Sequence, residues 1–292
     1  MWEIELYHLP CPLLERFLRV MQVPFPALRF LKLDLGDKSV PAPVLPDTFL
    51  GGSAPRLQRL TLSGIPTLPK LLTSCHDIVE VRLSRIPNTG YVSPSSMVTA
   101  LSELAKLEVL DIGFESPASR PDRHPPPSTR VVLPALTQLE FHGASEYFED
   151  LVARIDTPTS SSVKTEFFNQ LVFDNPQFLQ FVGRTKVLGS FEQASLWLGK
   201  STAKINLFND RLDSPVKPGT NLHIHILCDA VDWQVSGLAR ICVQFLTLLS
   251  NVEHCSVVGT QKRTHSLEDD VDWITLNGWS FFTHSLLRRA YQ

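Results

Sequence analysis

The chain has 292 residues, of which 43% are hydrophobic and 20% charged, and its formal net charge is −3. This composition is typical of a globular protein, and the small acidic charge gives no electrostatic argument for nucleic acid or an anionic membrane as partner. No apolar run reaches the roughly 18–20 residues of a membrane span, and no signal peptide is evident. Five widely spaced cysteines predict an intracellular protein, either cytoplasmic or nuclear.

The first residues predict a strand followed by a helix. Residues 1–8 alternate in hydropathy, with Trp2, Ile4 and Leu6 on one side, which is typical of a strand. Pro12 suits the first turn of a helix. The apolar stripe of that helix would consist of Leu13, Leu14, Phe17, Leu18 and Met21.

A short frame with apolar residues at positions one, four and six then recurs along the chain. Its instances are Leu28/Leu31/Leu33, Leu57/Leu60/Leu62, Ile78/Val81/Leu83, Leu107/Leu110/Ile112 and Leu136/Leu139/Phe141, with a sixth at Phe168/Leu171/Phe173. The middle residues are 29, 21, 29, 29 and 32 residues apart, which is in or just above the 20–29-residue period of leucine-rich repeats. Each frame predicts a short strand with inward leucines. One unit cannot bury its own apolar face, so neighbouring units must stack.

The segments between the frames fit the return path of such a unit. Helices are predicted within 65–75, from Ser93 onward and within 145–155, because each segment carries apolar residues at helical spacing. The segment 113–130 is rich in Ser, Arg and Pro, which predicts an exposed insertion. A ligand for proline-binding modules is the alternative for this segment.

Beyond Phe173 the frame loosens. The pattern predicts a helix over 177–182, strands over 190–200, 204–208 and 221–229, and a long amphipathic helix over 232–249. Val252, Cys255 and Val257 repeat the frame in weaker form, about thirty residues after 222–224, which suggests further stacking units. We therefore predict an α/β fold: an irregular leucine-rich-repeat-like solenoid over 1–258, with a curved, mostly parallel sheet and helices on the convex side. A divergent C-terminal tail, poorly ordered, would cover 259–292.

In this architecture the residues that flank the inward leucines must point to the concave side, because side chains alternate along a strand. We refer to these twelve residues as the polar row. They are Lys32, Asp34, Arg59, Thr61, Ser63, Glu80, Arg82, Ser84, Asp111, Gln138, Glu140 and His142. The polar row mixes both charges with small polar residues, which suits recognition of a polar protein surface. Ordinary solvated strand residues are the equally weighted alternative.

No constellation in the sequence supports catalysis, a cofactor or a metal ion. His223 and His225 lie two apart on a predicted strand with Cys228 nearby, but zinc needs three or four ligands, so surface histidines on an edge strand are preferred. Cys75 beside His76 cannot make the geometry of a nucleophile and its base, and a buried apolar role is preferred for the thiol. A phosphate-binding loop and a nucleophile elbow are both missing. We predict a protein that is not an enzyme.

The repeated frame resembles leucine-rich-repeat proteins, and longer phrases narrow the resemblance. These phrases are 42–66 (APVLPDTFLGGSAPRLQRLTLSGIP), 90–101 (GYVSPSSMVTAL), 146–156 (EYFEDLVARID) and 167–174 (FFNQLVFD). They resemble the repeat region of the F-box-like protein family of mushroom-forming (basidiomycete) fungi, over roughly residues 20–258. The F-box itself is not recognised in the sequence. The asparagine that regular repeats carry after each strand is replaced by Gly36, Ile65, Ile86, Glu115 and Ala144.

The resemblance implies a substrate-receptor arm of a Skp1–cullin–F-box ubiquitin ligase, in which the repeats bind a protein target. Skp1 and cullin would be partners only if a full-length form carries an F-box. We expect no nucleic-acid or membrane partner. The alternative is a truncated or non-functional repeat fragment with a structural scaffold role, since the chain opens in mid-repeat and ends without the pattern.

Overall fold

The computed structural model describes residues 2–36, 45–66, 69–115, 127, 129–168, 175–189, 191–198, 202–209, 220–227, 244–245, 252–260 and 271–277. The chain divides into two compact units, Met1–Ser160 and Ser161–Gln292. Both units contain strands and helices, so the protein is an α/β protein.

The first unit is built on a parallel sheet. Its strands are β1 (Glu3–Leu9), β2 (Phe30–Leu35), β3 (Arg59–Ser63), β4 (Glu80–Ile86), β5 (Val109–Phe114), β6 (Val131–Val132), β7 (Gln138–Gly143) and β8 (Ile155–Asp156). Its helices are α1 (Cys11–Val20), α2 (Pro69–Thr73), α3 (Pro94–Leu101) and α4 (Ser145–Ala153). Strands β1 to β5 and then β7 lie side by side in chain order, every neighbouring pair parallel. The short strands β6 and β8 pair separately.

The repeated frame accounts for this sheet. The middle residues of the first five frames pair in one line across β2, β3, β4, β5 and β7, and all of them are buried: Leu31, Leu60, Val81, Leu110 and Leu139. Parallel strands with equal register bring like positions together, so the inward leucines form one continuous layer. The prediction of parallel strands at these five frames is confirmed.

The helices of the first unit close the core over that layer. Ser93 caps α3, because its side-chain oxygen accepts a hydrogen bond from the Ser96 amide, and Pro94 follows in the first turn. The stripe of α3 is buried at Met97 and Leu101. Neighbouring helices touch, α2 with α3 and α3 with α4. The predicted helices within 65–75, from Ser93 and within 145–155 are therefore confirmed.

The first strand and helix are more exposed than predicted. Ile4 is buried, but Trp2 lies at the surface, so the predicted inward side of β1 is only partly correct. In α1, Leu14 and Leu18 are buried, whereas Leu13 is exposed. The buried stripe of a ten-residue helix is narrower than the predicted one, because β1 is the last strand on this side of the sheet.

Backbone hydrogen bonds satisfy amides in the turns after several strands, including Gly36 and Glu115, two of the positions where regular repeats carry an asparagine. The Gly36 amide donates to the Leu9 carbonyl at 3.2 Å, the Gly64 amide to the Ser84 carbonyl at 2.9 Å, and the Glu115 amide to the Ile86 carbonyl at 3.0 Å. Ile65 and Ile86, at two of the positions where regular repeats carry an asparagine, are buried and extend the apolar layer. These three amides are thus satisfied by backbone carbonyls rather than by a side-chain ladder.

The second unit has a sheet of mixed direction. Its strands are β9 (Ser162–Phe167), β10 (Gln193–Leu198), β11 (Thr202–Phe208), β12 (Asn221–Leu227), β13 (His254–Thr260) and β14 (Val271–Asn277), and its helix is α5 (Pro176–Arg184). The spatial order is β9, β12, β11, β10, β13, β14. The pairs β9–β12 and β10–β13 are parallel, whereas β12–β11, β11–β10 and β13–β14 are antiparallel.

This order corrects the predicted stacking in the second half. The strands predicted over 190–200, 204–208 and 221–229 exist, but β12 does not neighbour β13 as a repeat step would require. Only three residues join β10 to β11, and a parallel crossover needs a dozen or more, so this connection forms a hairpin. The thirty-residue spacing between β12 and the frame at Cys255 is therefore not a stacking period.

The predicted boundary at 258 falls inside β13, whereas the two compact units divide after Ser160. Within the predicted tail, β14 forms a strand that pairs with β13. Leu171 and Phe173 of the sixth frame and most of the helix predicted over 232–249 lie outside the described residues. The strand nearest the sixth frame is β9, which ends just before Phe168 and which the frame did not predict.

Candidate functional site

The polar row lies on the face of the first sheet opposite the buried leucines. Each strand from β2 to β4 shows the same alternation of buried and half-exposed residues, and β7 repeats it. All twelve members are at least partly accessible. The structure thus brings together every residue that the sequence analysis assigned to this face.

The register places the centre of the polar row in one line. Lys32 pairs with Thr61, Thr61 with Arg82, Arg82 with Asp111, and Asp111 with Glu140. Strands in a sheet are spaced by about 4.8 Å, so the line spans about 19 Å. The five side chains of this line therefore follow a fixed order: a cation, a neutral threonine, a second cation and two carboxylates.

One end of the line is an acidic cluster around an arginine. Arg82 Nε donates to Glu80 Oε1 at 2.5 Å, and Arg82 Nη1 lies 3.8 Å from Asp111 Oδ2. The hydrogen bond to Glu80 raises the pKa of Arg82, and the charges of Glu80, Asp111 and Glu140 raise it further against the effect of burial. Three carboxylates surround one guanidinium, so this end of the row carries an excess of negative charge.

The other end carries cations stacked on aromatic rings. Lys32 Nζ lies 4.6 Å from the centre of the Tyr7 ring, and the Arg59 guanidinium lies 4.5 Å from the centre of the Phe30 ring. A cation over an aromatic face is attracted by the ring quadrupole. Neither aromatic partner could be predicted from the sequence, since a ring and a cation on different strands become neighbours only once the register is known. The polar row therefore runs from a cationic, aromatic end to an acidic end.

Arg85 is a central side chain that the sequence analysis also missed. Its Nη2 donates to the Leu35 carbonyl and the Ser63 hydroxyl, each at 2.9 Å, and forms an ion pair with Asp34. Arg85 adopts a positive φ of 52°, and the register of β4 against β5 shifts between Leu83 and Ile86. This left-handed conformation directs the Arg85 side chain back across β3 towards β2. Asp34 and Ser63 of the polar row are consequently already bound to the Arg85 guanidinium.

The two histidines singled out in the second unit do share one face, but β12 is an interior strand between β9 and β11. The prediction of an edge strand is therefore wrong. His223 Nδ1 lies 2.8 Å from Asn206 Oδ1, and His225 Nδ1 lies 2.8 Å from Glu166 Oε2. Among the residues that the structure describes, no group of three potential metal ligands comes together. Cys228 lies outside them.

The cysteines that the structure describes are buried thiols. Cys75 is buried, and this burial raises its pKa, which agrees with the apolar role predicted for it. Burial raises the pKa of Cys255 to about 11. Because only the thiolate is a strong nucleophile, both thiols are unreactive at neutral pH.

The free energy of unfolding should fall as pH rises from about 9 towards 11, because folded Cys255 keeps a proton that the unfolded chain releases near its ordinary pKa of 9.0. Below pH 9 this contribution is fully present. Urea denaturation at pH 7.5 and pH 10 measures the loss, and Cys255→Ala should lose less between the two values than the parent. An equal loss in the variant would show that this thiol makes no contribution.

Comparison with known proteins gives no family for this chain, because no protein-family profile, no curated protein and no solved structure matches it. Within the described residues, none of the helices has the length and apolar character to cross a membrane.

Proposed function

We propose that the first unit is an irregular leucine-rich-repeat solenoid that acts as a non-enzymatic protein-interaction module. The observation that supports this most strongly is the polar row: a line of charged side chains fixed in register on one open face of a parallel sheet. Stacked repeats use such extended faces for binding. By its resemblance to fungal F-box-like proteins, the module would serve as the substrate-receptor arm of a Skp1–cullin–F-box ubiquitin ligase.

The order of charges on the polar row defines the kind of target. Lys32 and Arg59 form a cationic end, whereas Glu80, Asp111 and Glu140 form an acidic end. A protein surface with the opposite order of charges would match both ends, and charge complementarity of this type sets specificity and register more than raw affinity. This end also offers Arg59 and Tyr7, and arginine and tyrosine are among the residue types that dominate binding energy at interfaces.

A bulky substitution at the centre of the polar row should abolish binding of the target. Thr61→Trp places a large side chain between Lys32 and Arg82 without removing a charge, and tryptophan is well tolerated in strands. The measurement is affinity purification of the tagged chain from its own cells, followed by quantitative mass spectrometry. We expect recovery of the target to fall at least about tenfold, a loss of about 1.4 kcal/mol.

Thr99→Trp is the matched control, because Thr99 lies exposed on α3, away from the polar row. The target is any protein that the parent and Thr99→Trp recover equally and Thr61→Trp loses. If every recovered protein is retained by Thr61→Trp, the polar row is not a recognition surface and the role of a structural repeat fragment is favoured. Skp1 and cullin should be recovered only from a form that carries an F-box.

A further inference from the structure

The strand β1 ends the parallel sheet of the first unit with an unpaired edge. It pairs with β2 on one side, and among the residues that the structure describes no strand lies on its other side. The Trp2 carbonyl accepts from the Phe30 amide, so it points towards β2. Backbone groups alternate in direction along a strand, so the N–H and C=O groups of Glu3, Glu5 and Tyr7 point outward. These groups are a template for one more strand.

The side chains along this edge have a distinct charge pattern. Glu3, Glu5 and Tyr7 lie on the face of the polar row and are exposed, while Ile4 on the opposite face is buried and Leu6 half-buried. The only ion pair that the structure shows for Glu3 is a long one, 3.9 Å to Arg59, and Glu5 accepts a hydrogen bond from the Tyr7 hydroxyl. Two carboxylates two residues apart therefore border the open edge on the same face.

Exposed apolar surface is concentrated in the same strand–helix unit. Most of the exposed large apolar side chains among the described residues belong to it: Trp2 (57% exposed), Tyr7 (50%), Leu13 (49%), Val20 (73%) and Val23 (56%). The apolar layer that ends at Ile4 and Leu6 would be extended by apolar residues of an added strand.

We propose that β1 binds an extended peptide segment of a partner protein by strand addition, and that this segment alternates basic and apolar residues. Its lysines or arginines would lie beside Glu3 and Glu5, because residues on neighbouring strands that share a face are cross-strand neighbours. Its apolar residues would fall on the side of Ile4 and Leu6. The edge is usable over 3–7, since the register shifts between Leu6 and Leu9.

The same charges disfavour a second copy of this chain as the occupant. Antiparallel self-pairing centred on Glu5 sets Glu5 against itself, and pairing centred on Ile4 sets Glu3 against Glu5. Like charges directly opposite one another destabilise a strand pair. A basic partner segment avoids this repulsion. Strand addition does not depend on the role proposed for the polar row, because it uses the outward backbone groups of β1.

The test is fluorescence anisotropy with the 292-residue chain and a labelled peptide of alternating lysine and valine, Lys-Val-Lys-Val-Lys-Val-Lys. We expect saturable binding that a glutamate–valine peptide does not reproduce. Methylation of alternate backbone nitrogens on the edge that would face β1 should weaken binding at least about tenfold, since it removes the donors of the ladder. This comparison uses the unaltered chain. If the methylated and unmethylated peptides bind equally well, the contact is a general ionic attraction and strand addition is overturned.

The double variant Glu3→Lys with Glu5→Lys should weaken binding of the lysine–valine peptide at least about tenfold, because two attractive cross-strand pairs become repulsive. Glu103→Lys with Glu108→Lys is the matched control: it makes the same change in net charge at exposed positions outside β1 and the polar row, and should leave the affinity within about twofold. Unchanged binding by the double variant would overturn the inference. So would light scattering that shows a dimer of the parent chain dissociated by the double variant, because a second copy would then occupy the edge.

Discussion

Replacing Leu110 or Leu139 by alanine should lower the free energy of unfolding by about 2–5 kcal/mol. Both side chains are fully buried and pair with each other across β5 and β7, within the continuous leucine layer. Truncation removes apolar contacts and leaves a cavity that the surrounding side chains fill only partly. Urea denaturation followed by circular dichroism measures the effect.

Val109→Ala on the same strand is the control, since Val109 points to the other face and is only half-buried. Its cost should stay below about 1 kcal/mol, as for partly exposed positions. A similar loss at Val109 and Leu110 would mean that the strand does not present one buried and one open face. The assignment of the polar row would then fail with it.

Arg85→Ala should lower the free energy of unfolding by about 2–3 kcal/mol, because hydrogen bonds to charged groups are worth about 1.5–3 kcal/mol. The Arg85 side chain joins β4 to the Ser63 hydroxyl on β3 and to the Asp34 carboxylate on β2. Removing it leaves the largely buried carboxylate without its guanidinium. Chemical denaturation of the parent and the variant gives the difference.

Arg85→Gly separates the lost contacts from backbone strain. A non-glycine residue pays about 1–2 kcal/mol for a left-handed conformation, and glycine does not. Since Arg85 has a φ of 52°, the glycine variant should be more stable than the alanine variant by about 1 kcal/mol or more. If alanine proves the more stable of the two, the left-handed backbone at this position is wrong.

The parallel sheet of the first unit could be predicted because a short frame of apolar residues recurs along this part of the sequence. Leucines at positions four and six of each frame specify a strand with one buried face, and a step near 29 residues leaves room for a crossover. The same alternation predicted the polar row, because a residue beside a buried leucine has only one other direction. These predictions needed no knowledge of which strands are neighbours.

The second unit could not be predicted from the same period. The strands β10 and β11 were predicted, but only three residues join the end of β10 to the start of β11, so the two strands pair as a hairpin. A hairpin interrupts the repeat. Local connection length decided the topology here, and the spacing between Ile224 and Cys255 was coincidental. The antiparallel pairs follow from this short-range constraint.

Two features of the candidate site were beyond the sequence for different reasons. Arg85 breaks the alternation through a left-handed backbone, which favours Gly or Asn, and nothing at an arginine signals it. The stacking of Lys32 on Tyr7 depends on the register of β1 against β2, which only the sheet order supplies. Cross-strand partners are tertiary information even when each residue lies in a predicted strand.

Photocrosslinking can show whether the polar row is the surface on which this protein binds another protein. A benzophenone amino acid is placed at Thr61 in one sample and at Thr99 in a second, and the tagged chain is irradiated in its own cells. We expect a discrete crosslinked protein from Thr61 and none from Thr99, because only Thr61 faces outward at the centre of the polar row. No adduct at Thr61, or the same adducts from both positions, would contradict it.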